Sequence, residues 1–418
     1  MDLNSVSDAL SGLQANQASM DVIGNNIANV NTVGYKTQSI RFEDLMNETL
    51  SNGSAAFAGR AGTDPIQVGL GVGTGSISLI DTQGTVQDTG RPTDMAIEGN
   101  GYFVVSNGQQ TFYTRDGSFT VSPDGVLENA ATGMIVQGWG VNASGTGDTT
   151  TPLGPIKIPL NSQTAAATTK ASLAGNLDAS QATYSAGPPP KGGKFSTNLT
   201  IYDSEGNAHS LTLTMQKTGN NTWSWSVSAP TGSGVTLSGG SGSLTFDLAG
   251  ALKSPIAPPN LNITYGNGAS NATVALDFSK ITQLAQTSQV TVATADGMPG
   301  GSISTFNVDK NGVVSAVYSN GLIKPLAQVA LADFRNPDGL LREGNNLNSV
   351  GPNSGLPQLG VAGVGTMGVI HTGQLEGSNV DLASQFSQMI QAQQGFNANT
   401  KVLSTTHAMV QSLFQILP

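Results

Sequence analysis

Apolar residues recur at alternating steps of three and four at both ends of the chain, and no other feature constrains the fold as strongly. Near the N-terminus the stripe comprises Leu3, Val6, Leu10, Leu13, Gln17, Met20, Gly24 and Ile27. Near the C-terminus the same spacing selects Phe386, Met389, Gln393, Phe396, Thr400, Leu403, His407, Val410, Phe414 and Leu417. This spacing is typical of a coiled-coil seam. It therefore predicts a helix over residues 3–30 and a C-terminal helix that returns to pair with it.

The outward positions of the first helix carry almost no charge, which bears on what covers them. Asp2, Asp8 and Asp21 are the charged residues of this segment. Because a solvated helix of this length normally carries many charges, we expect its outer face to meet other protein, such as neighbouring copies of the chain. Gln17 and Gln393 interrupt the stripes. We interpret them as tolerated polar residues, with a role in setting helix register as the alternative.

The chain between the two heptad segments reads as short strands separated by turns. Apolar and polar residues alternate within segments 199–203, 210–215, 223–227 and 244–246, and β-branched and aromatic residues mark segments 103–105, 112–114, 119–121 and 135–139. Asp116-Gly117, Pro123-Asp124-Gly125 and Asn311-Gly312 are turn signals. The fold class is therefore mixed and mainly β, with coiled-coil-like terminal helices and discontinuous β-rich domains, of which the outer one is a β-barrel or sandwich.

These patterns predict four parts. Residues 1–36 and 376–418 form a terminal helical domain, and residues 37–81 an extended connecting segment. Within that segment, Phe42, Leu45, Met46 and Leu50 have helical spacing over one or two turns. Residues 82–155 and 299–375 form a discontinuous β domain that is interrupted by an inserted outer β domain at 156–298.

Composition excludes several functional classes. The net charge of −10, without a cluster of Lys and Arg, argues against nucleic-acid binding. The chain has no cysteine, which excludes disulfides and thiolate chemistry. We expect no membrane insertion and no cleaved secretory signal, because no apolar run is long enough and the first residues lack a basic segment. Charged residues make up 11% of the chain against roughly 25% in typical soluble proteins, which fits a surface covered by copies or partners.

No residue pattern predicts catalysis, a cofactor or a metal. His209, His371 and His407 are far apart in sequence and lack a second ligand at metal spacing. The carboxylates stand mostly beside Gly, Asn or Pro, where turn chemistry explains them more simply than a glycosidase pair. The Gly-rich run 68–75 matches neither a dinucleotide fingerprint nor a phosphate loop.

One segment resembles a known family. The residues Gly24, Asn25, Asn26, Ile27, Ala28, Asn29, Gly34, Tyr35 and Lys36 resemble the N-terminal signature of the bacterial flagellar rod and hook proteins. Further blocks agree with this resemblance: 82–84, 97–103, 115–119, 173–178 and 377–399. The large insertion favours the hook members of the family over the shorter distal-rod members, which remain the alternative.

The resemblance implies a structural subunit that polymerises into a hollow flexible tube and transmits torque as a universal joint. It implies export through the flagellar type III apparatus without a cleaved signal, an extracellular place in the flagellum, and contacts with the distal rod, the hook cap and the hook–filament junction proteins. The predicted self-assembly seam consists of Leu3, Val6, Leu10, Leu13, Met20, Ile27, Phe386, Met389, Phe396, Leu403, Val410, Phe414 and Leu417. A secreted β-rich adhesin or carbohydrate-binding module is the alternative from another class, and it would not need heptads at both ends.

Overall fold

The structure is a computed structural model that describes residues 4–53, 55, 61–142 and 145–416. Leu3 and Leu417, and the side chain of Phe414, lie outside the described part. The chain divides into two compact units. Unit 1 comprises Met1–Ile158, Asn307–Ser315 and Pro325–Pro418, and unit 2 comprises Pro159–Phe306 and Ala316–Lys324.

Two long helices and a series of strands make up the described chain. The helices are α1 (Asn4–Ala28) and α2 (Leu382–Ile416), and a short 3-10 helix spans Pro337–Gly339. The first strands are β1 (Gln38–Asp44), β2 (Asn47–Ser51), β3 (Ile66–Gly69), β4 (Val72–Leu79), β5 (Val86–Asp88), β6 (Met95–Glu98), β7 (Tyr102–Ser106), β8 (Thr111–Thr114), β9 (Phe119–Val121), β10 (Leu127–Asn129), β11 (Ile135–Gly140) and β12 (Gly154–Pro155). The next are β13 (Gln163–Ala166), β14 (Lys170–Asp178), β15 (Lys194–Tyr202), β16 (Ala208–Gly219), β17 (Thr222–Ser228), β18 (Val235–Ser238), β19 (Ser241–Phe246), β20 (Leu252–Ser254), β21 (Asn260–Tyr265), β22 (Ala272–Leu284) and β23 (Gln289–Ala295). The last are β24 (Met298–Val308), β25 (Val313–Tyr318), β26 (Ile323–Asp333), β27 (Leu341–Gly344), β28 (Leu347–Ser349), β29 (Gln358–Val361), β30 (Val369–Thr372) and β31 (Gln374–Glu376).

Both terminal helices predicted from the heptads are confirmed. Helix α1 ends where Asn29 donates its side-chain amide to the carbonyl of Asn25 (2.9 Å), so a polar side chain satisfies a carbonyl of the last turn. Helix α2 begins after Asp381, whose Oδ1 accepts the backbone N–H of Ala383 (2.9 Å). This is the N-cap contact expected of an aspartate.

The connecting segment 37–81 forms an antiparallel β-ribbon, so the short helix suggested by its apolar spacing is wrong. Strand β1 pairs with β4 from Gln38↔Leu79 to Asp44↔Val72. Strand β2 pairs with β3 further along the ribbon. Phe42 lies in β1 and Leu50 in β2. Their spacing is helical by coincidence, because cross-strand pairing with residues fifteen or more positions away decides the conformation.

The main sheet of unit 1 is built from strands that are distant in sequence. Its order runs β26-β11-β7-β8-β28-β27. The four strand segments predicted between residues 103 and 139 are confirmed as β7, β8, β9 and β11. A buried aromatic cluster, in which Tyr113 and Phe334 meet edge to face at 4.8 Å, packs against one face. The turn signal Asp116-Gly117 brings the backbone so close to Met95 that a Cβ at Gly117 would overlap the Met95 carbonyl.

Unit 2 is a β-sandwich. One five-stranded sheet has the order β15-β16-β17-β19-β20 and the other the order β18-β21-β22-β14-β23. Inward residues alternate with outward ones, as in β17, where Trp223, Trp225 and Val227 are buried between polar neighbours. Both sheets contribute these side chains to a single apolar core. The predicted strands of this region are confirmed, and a sandwich rather than a closed barrel is the form they take.

We expect Leu213→Ala to lower the free energy of unfolding of unit 2 by about 2–5 kcal/mol, because Leu213 is fully buried and its truncation leaves a cavity between the sheets. Scanning calorimetry would measure the loss as a lower melting temperature of the unit 2 transition. Ser226→Ala, at an exposed position of β17 in the same sheet, is the matched control and should leave that transition in place. Equal shifts for the two variants would contradict the sandwich core.

Candidate assembly site at the paired termini

The two terminal helices pack against each other in an antiparallel orientation. Near the end of α1, Asn26 donates a hydrogen bond to Gln385 Oε1 (3.0 Å) near the start of α2. Further along, Gly12 of α1 lies against Asn399 of α2. The end of α1 therefore lies beside the start of α2, and an earlier part of α1 lies beside a later part of α2. The chain thus returns to its own beginning.

The residues that are buried in the described part of the two helices are not the predicted seam residues. The buried residues of α1 are Ala9, Gly12, Ala15, Val22, Ile23 and Asn26. In α2, Gln385 and Ala392 are buried, where the pattern selects Phe386 and Gln393. Small side chains let the two backbones approach closely, and a search for large apolar residues at heptad spacing does not detect such side chains.

The predicted seam residues are less buried than these. Partly buried are Val6, Leu13, Met20 and Ile27 of α1 and Met389, Phe396, Leu403 and Val410 of α2. Leu10 and Phe386 are about half exposed, at 49% and 51%. Gln17 and Gln393 are exposed, so neither lies between the paired helices. The predicted seam therefore stays a prediction for contacts between copies.

The family signature forms the link between α1 and the β-ribbon. The Tyr35 hydroxyl lies 3.1 Å from the Oδ1 atoms of both Asn25 and Asn26. Buried Asn26 also donates to the Gln38 carbonyl (2.8 Å) and accepts the Gln38 N–H (2.9 Å). The side chain of Asn26 thus ties α1, α2 and β1 together with all of its polar atoms bonded.

Gly34 occupies a position that only glycine fits. Its φ is +69°, and a Cβ would lie 2.7 Å from the backbone carbonyl carbon of Arg115. Its N–H donates to the Glu376 carbonyl (2.8 Å). The turn therefore brings the N-terminal segment against the chain that leads into α2.

A buried ion cluster of Lys36, Arg115 and Glu376 lies directly beyond this turn. The Lys36 ammonium is 2.7 Å from Glu376 Oε1, and Arg115 Nη1 is 3.3 Å from Glu376 Oε2. The exposed fraction of each side chain is 4% or less. Gly84 donates its N–H to Glu376 Oε1 (3.0 Å), so both carboxylate oxygens are satisfied. One carboxylate therefore joins three segments that are far apart in sequence.

Neighbouring residues complete this junction. Gln83 bridges the Ile97 carbonyl (2.8 Å) and the Gly99 N–H (2.9 Å) with its two amide ends. Asn379 accepts the N–H and the hydroxyl of Thr37, each at 2.7 Å. Residues from several blocks that carry the family resemblance thus contact one another at this junction. These contacts explain why the blocks carry those residues.

Sequence reasoning did not assign individual roles to Arg115, Glu376, Asn379 or Gln385. No local signal singled out Glu376, because Asp381 is a second carboxylate before α2 and lies nearer to the helix start. The partners of Glu376 lie 340 and 261 positions away, and no local pattern connects such distances.

Burial perturbs two further groups beside the cluster. Desolvation raises the pKa of the Asp81 carboxyl, and the charges of Arg115 and Lys36 only partly offset this effect. Desolvation also raises the pKa of the Tyr102 hydroxyl. The Arg115 guanidinium lies over the Tyr102 ring, 5.3 Å from its centroid.

Profiles of four families match successive parts of the chain. The flagella basal body rod protein family matches residues 9–36, and the D1 domain of flagellar hook protein FlgE/F/G matches residues 96–172. The flagellar basal body protein FlaE D2 domain matches residues 176–298, and the C-terminal family of flagellar basal body rod FlgEFG proteins matches residues 371–416.

Full-length relatives decide among these families. The flagellar hook protein FlgE of Borreliella burgdorferi is 36% identical over 99% of this chain and 99% of its own length. The chain belongs to the flagellar hook protein family. Flagellar hook protein FlgE of Escherichia coli is 34% identical over 98% of this chain and 99% of its own, and that of Salmonella typhimurium is 35% identical over 99% and 100%. A crystal structure of Helicobacter pylori flagellar hook protein FlgE2 aligns with a TM-score of 0.47 at 19% identity, over 69% of this chain and 100% of that one.

Membership of the hook protein family confirms the function inferred from the resemblance, that of a structural subunit of the hook. It also sets aside the distal-rod alternative, because relatives of nearly equal length carry the hook name.

The three histidines lie in different surroundings: His209 bonds to Asp203 (2.9 Å), His371 to Glu98 (2.6 Å) and His407 to Gln411 (2.9 Å).

No group of three or more His, Cys, Asp or Glu side chains in the described part of the chain is arranged to hold a metal ion. Neither α1 nor α2, as far as each is described, is both long and apolar enough to cross a membrane.

We expect Glu376→Gln to lower the free energy of unfolding of unit 1 by about 3–5 kcal/mol, because it removes the carboxylate that pairs with the buried cations Lys36 and Arg115, and Asp81, 4.0 Å from Lys36, offsets this loss only in part. Urea denaturation followed by circular dichroism would measure the loss. Glu98→Gln is the control, since Glu98 is 62% exposed and its pair with His371 should contribute about 1 kcal/mol or less. A loss for Glu376→Gln no larger than that of the control would contradict the role of the cluster.

We expect Asp81→Asn to stabilise the protein at neutral pH relative to the parent. The folded-state pKa of Asp81 is raised, so the folded form binds the proton more tightly than the unfolded form. The parent therefore loses stability as the pH rises from the ordinary value of about 4 through the folded-state pKa. The difference in melting temperature between variant and parent should be small at pH 3 and grow by pH 7. A difference that shrinks with rising pH would show that the attraction to Lys36 outweighs burial.

Proposed function

We propose that copies of this chain polymerise into the hollow, flexible helical tube of the hook, with the paired terminal helices as the inner layer and the β-rich parts outside. The observation that carries the proposal is the exposed apolar surface of the helix pair. Leu10, Phe386, Ile390, Val402 and Met409 are between 45% and 56% exposed, although they lie on helices with few charges. Such a surface needs a second protein surface to cover it.

The β-ribbon has a similar surface, which supports the same assembly. Met46 is 81% exposed and Leu50 62% exposed, and strands β2 and β3 are exposed along their whole length. A two-stranded ribbon is marginally stable alone. Contacts with a neighbouring copy would stabilise it and bury these side chains.

The tube acts as a universal joint that transmits torque from rod to filament while it bends. Bending requires contacts between copies that slide as the tube turns. A surface with few charges suits this motion, because ionic contacts are costly to break in a desolvated interface.

We further propose that the chain divides into four parts, of which the last is outermost: residues 1–36 with 376–418, residues 37–81, residues 82–155 with 299–375, and residues 156–298.

Family membership also supports a set of proposed partners. These are the distal rod at one end, the hook–filament junction proteins at the other, the hook cap at the growing tip and the flagellar type III export apparatus. Export without a cleaved signal would place the chain outside the cell. The absence of cysteine is compatible with unfolded passage, because no disulfide has to be broken. The family is structural, and we propose no catalytic activity.

Electron microscopy of the purified protein under polymerising conditions tests this proposal, and we expect tubes. Phe386→Ser should abolish or strongly reduce tube formation, because it removes an exposed apolar side chain from α2. Gln394→Ser, at an exposed polar position of the same helix, is the control and should form tubes like the parent. Persistent monomers of the parent chain, or tubes formed equally well by both variants, would overturn the proposed assembly surface.

A further inference from the structure

The helix pair contains two reciprocal contacts between a glycine and an asparagine. A Cβ at Gly12 of α1 would lie 2.5 Å from the side-chain nitrogen of Asn399 in α2. A Cβ at Gly395 of α2 would lie 2.6 Å from the side-chain oxygen of Asn16 in α1. Each helix therefore offers one glycine notch and one asparagine that fills the notch of its partner.

These contacts share a single register with a third. The two residue numbers add up to 411 for Gly12 and Asn399 and for Asn16 and Gly395, and the same holds for the hydrogen-bonded pair of Asn26 and Gln385. The three contacts lie along most of the length of α1. One antiparallel alignment satisfies all of them together.

The Asn16 side chain is held in place by its own helix. Its Nδ2 donates to the carbonyl of Gly12 (2.7 Å), four residues earlier. Rotating the amide away from Gly395 would break this hydrogen bond. A side chain at position 395 would therefore either displace a bonded amide or push the helices apart.

A heptad pattern alone does not fix the register, because it repeats every seven residues. A shift of the pairing by one heptad would place Asn16 opposite Val402 in one direction and opposite Gln388 in the other. Neither residue leaves the space that Gly395 leaves. The asparagine amide would then meet a larger side chain in place of a notch.

We propose that the two glycine–asparagine contacts set the axial register of the terminal helices. Gly12, Asn16, Gly395 and Asn399 act as positioning residues that exclude pairings displaced by a heptad. In a tube whose inner layer consists of many such helix pairs, the register determines the position of the exposed apolar residues of each copy. The inference rests on the helix pair itself and extends the proposed assembly.

Cysteine cross-linking can measure the register without background, because the chain has no cysteine. Ser19→Cys with Ala392→Cys forms a pair in the observed register. Ala15→Cys with Leu403→Cys forms a pair displaced by one heptad. In the full-length protein we expect a thiol-specific cross-link at the first pair and none at the second. Equal cross-linking of both pairs, or none at the first, would overturn the proposal.

Glycine substitutions then test what sets the register. Gly395→Ala should lose most of the cross-link at the 19/392 pair, because the new methyl group meets the bonded Asn16 amide, and it should gain none at the displaced pair, where Asn16 would meet the larger Val402. Gly24→Ala is the matched control, because a Cβ at Gly24 of the same helix pair meets nothing within 4 Å. Alanine favours a helix more than glycine, so a loss at position 395 cannot come from helix propensity.

A compensating variant separates register from general damage. Adding Asn16→Ala to Gly395→Ala removes the amide that the new methyl group meets, and it should restore the cross-link at the 19/392 pair. A Gly395→Ala protein that behaves like Gly24→Ala would overturn the proposal. A double variant in which the cross-link at the 19/392 pair stays lost would overturn it as well.

Discussion

The buried carboxylate of Glu376 is the interaction on which the arrangement of unit 1 depends. It receives Lys36 from the segment after α1, Arg115 from the β domain and the N–H of Gly84 from the segment between them. Removing an ion from water is costly, so the cluster is stable only when all its members are present. The two ends of the chain and the β domain are thus held at one point by charge. An apolar contact would not specify that point, because it has no direction.

The helix pair shows a second use of polar residues where an apolar seam was expected. Close approach depends on Ala9, Gly12, Ala15 and Gly395, and the space between the backbones is filled by asparagine amides. Some of the larger apolar side chains, such as Leu10 and Phe386, stay about half exposed. Burial within one chain is therefore incomplete, and this leaves a surface that suits contact between copies. The same residues that pair the helices also determine which surface remains exposed.

Most of the architecture could be predicted from the sequence, and the failures have local causes. The terminal helices, eight strands of the two units and the turn at Asp116-Gly117 follow from periodicity and turn chemistry, which act over a few residues. The ribbon at residues 37–81 could not be predicted in this way, because its conformation depends on pairing between strands such as β1 and β4. Only some of the residues that join the termini could be identified from the sequence. Asn26, Gly34, Tyr35 and Lys36 stood out through the family resemblance, whereas Glu376 and Gln385 did not.

The sequence by itself determined that this chain has helices at both ends, a β-rich middle and the residues of the hook protein family. These properties depend on side-chain spacing and composition, which are readable along the chain. Tertiary structure alone decided which face of α1 meets α2, the register in which they pair, and the site where Lys36 and Arg115 find Glu376. Each of these depends on contacts between residues hundreds of positions apart. Close packing of small residues and satisfaction of buried charge select one such arrangement among many that the heptad pattern allows.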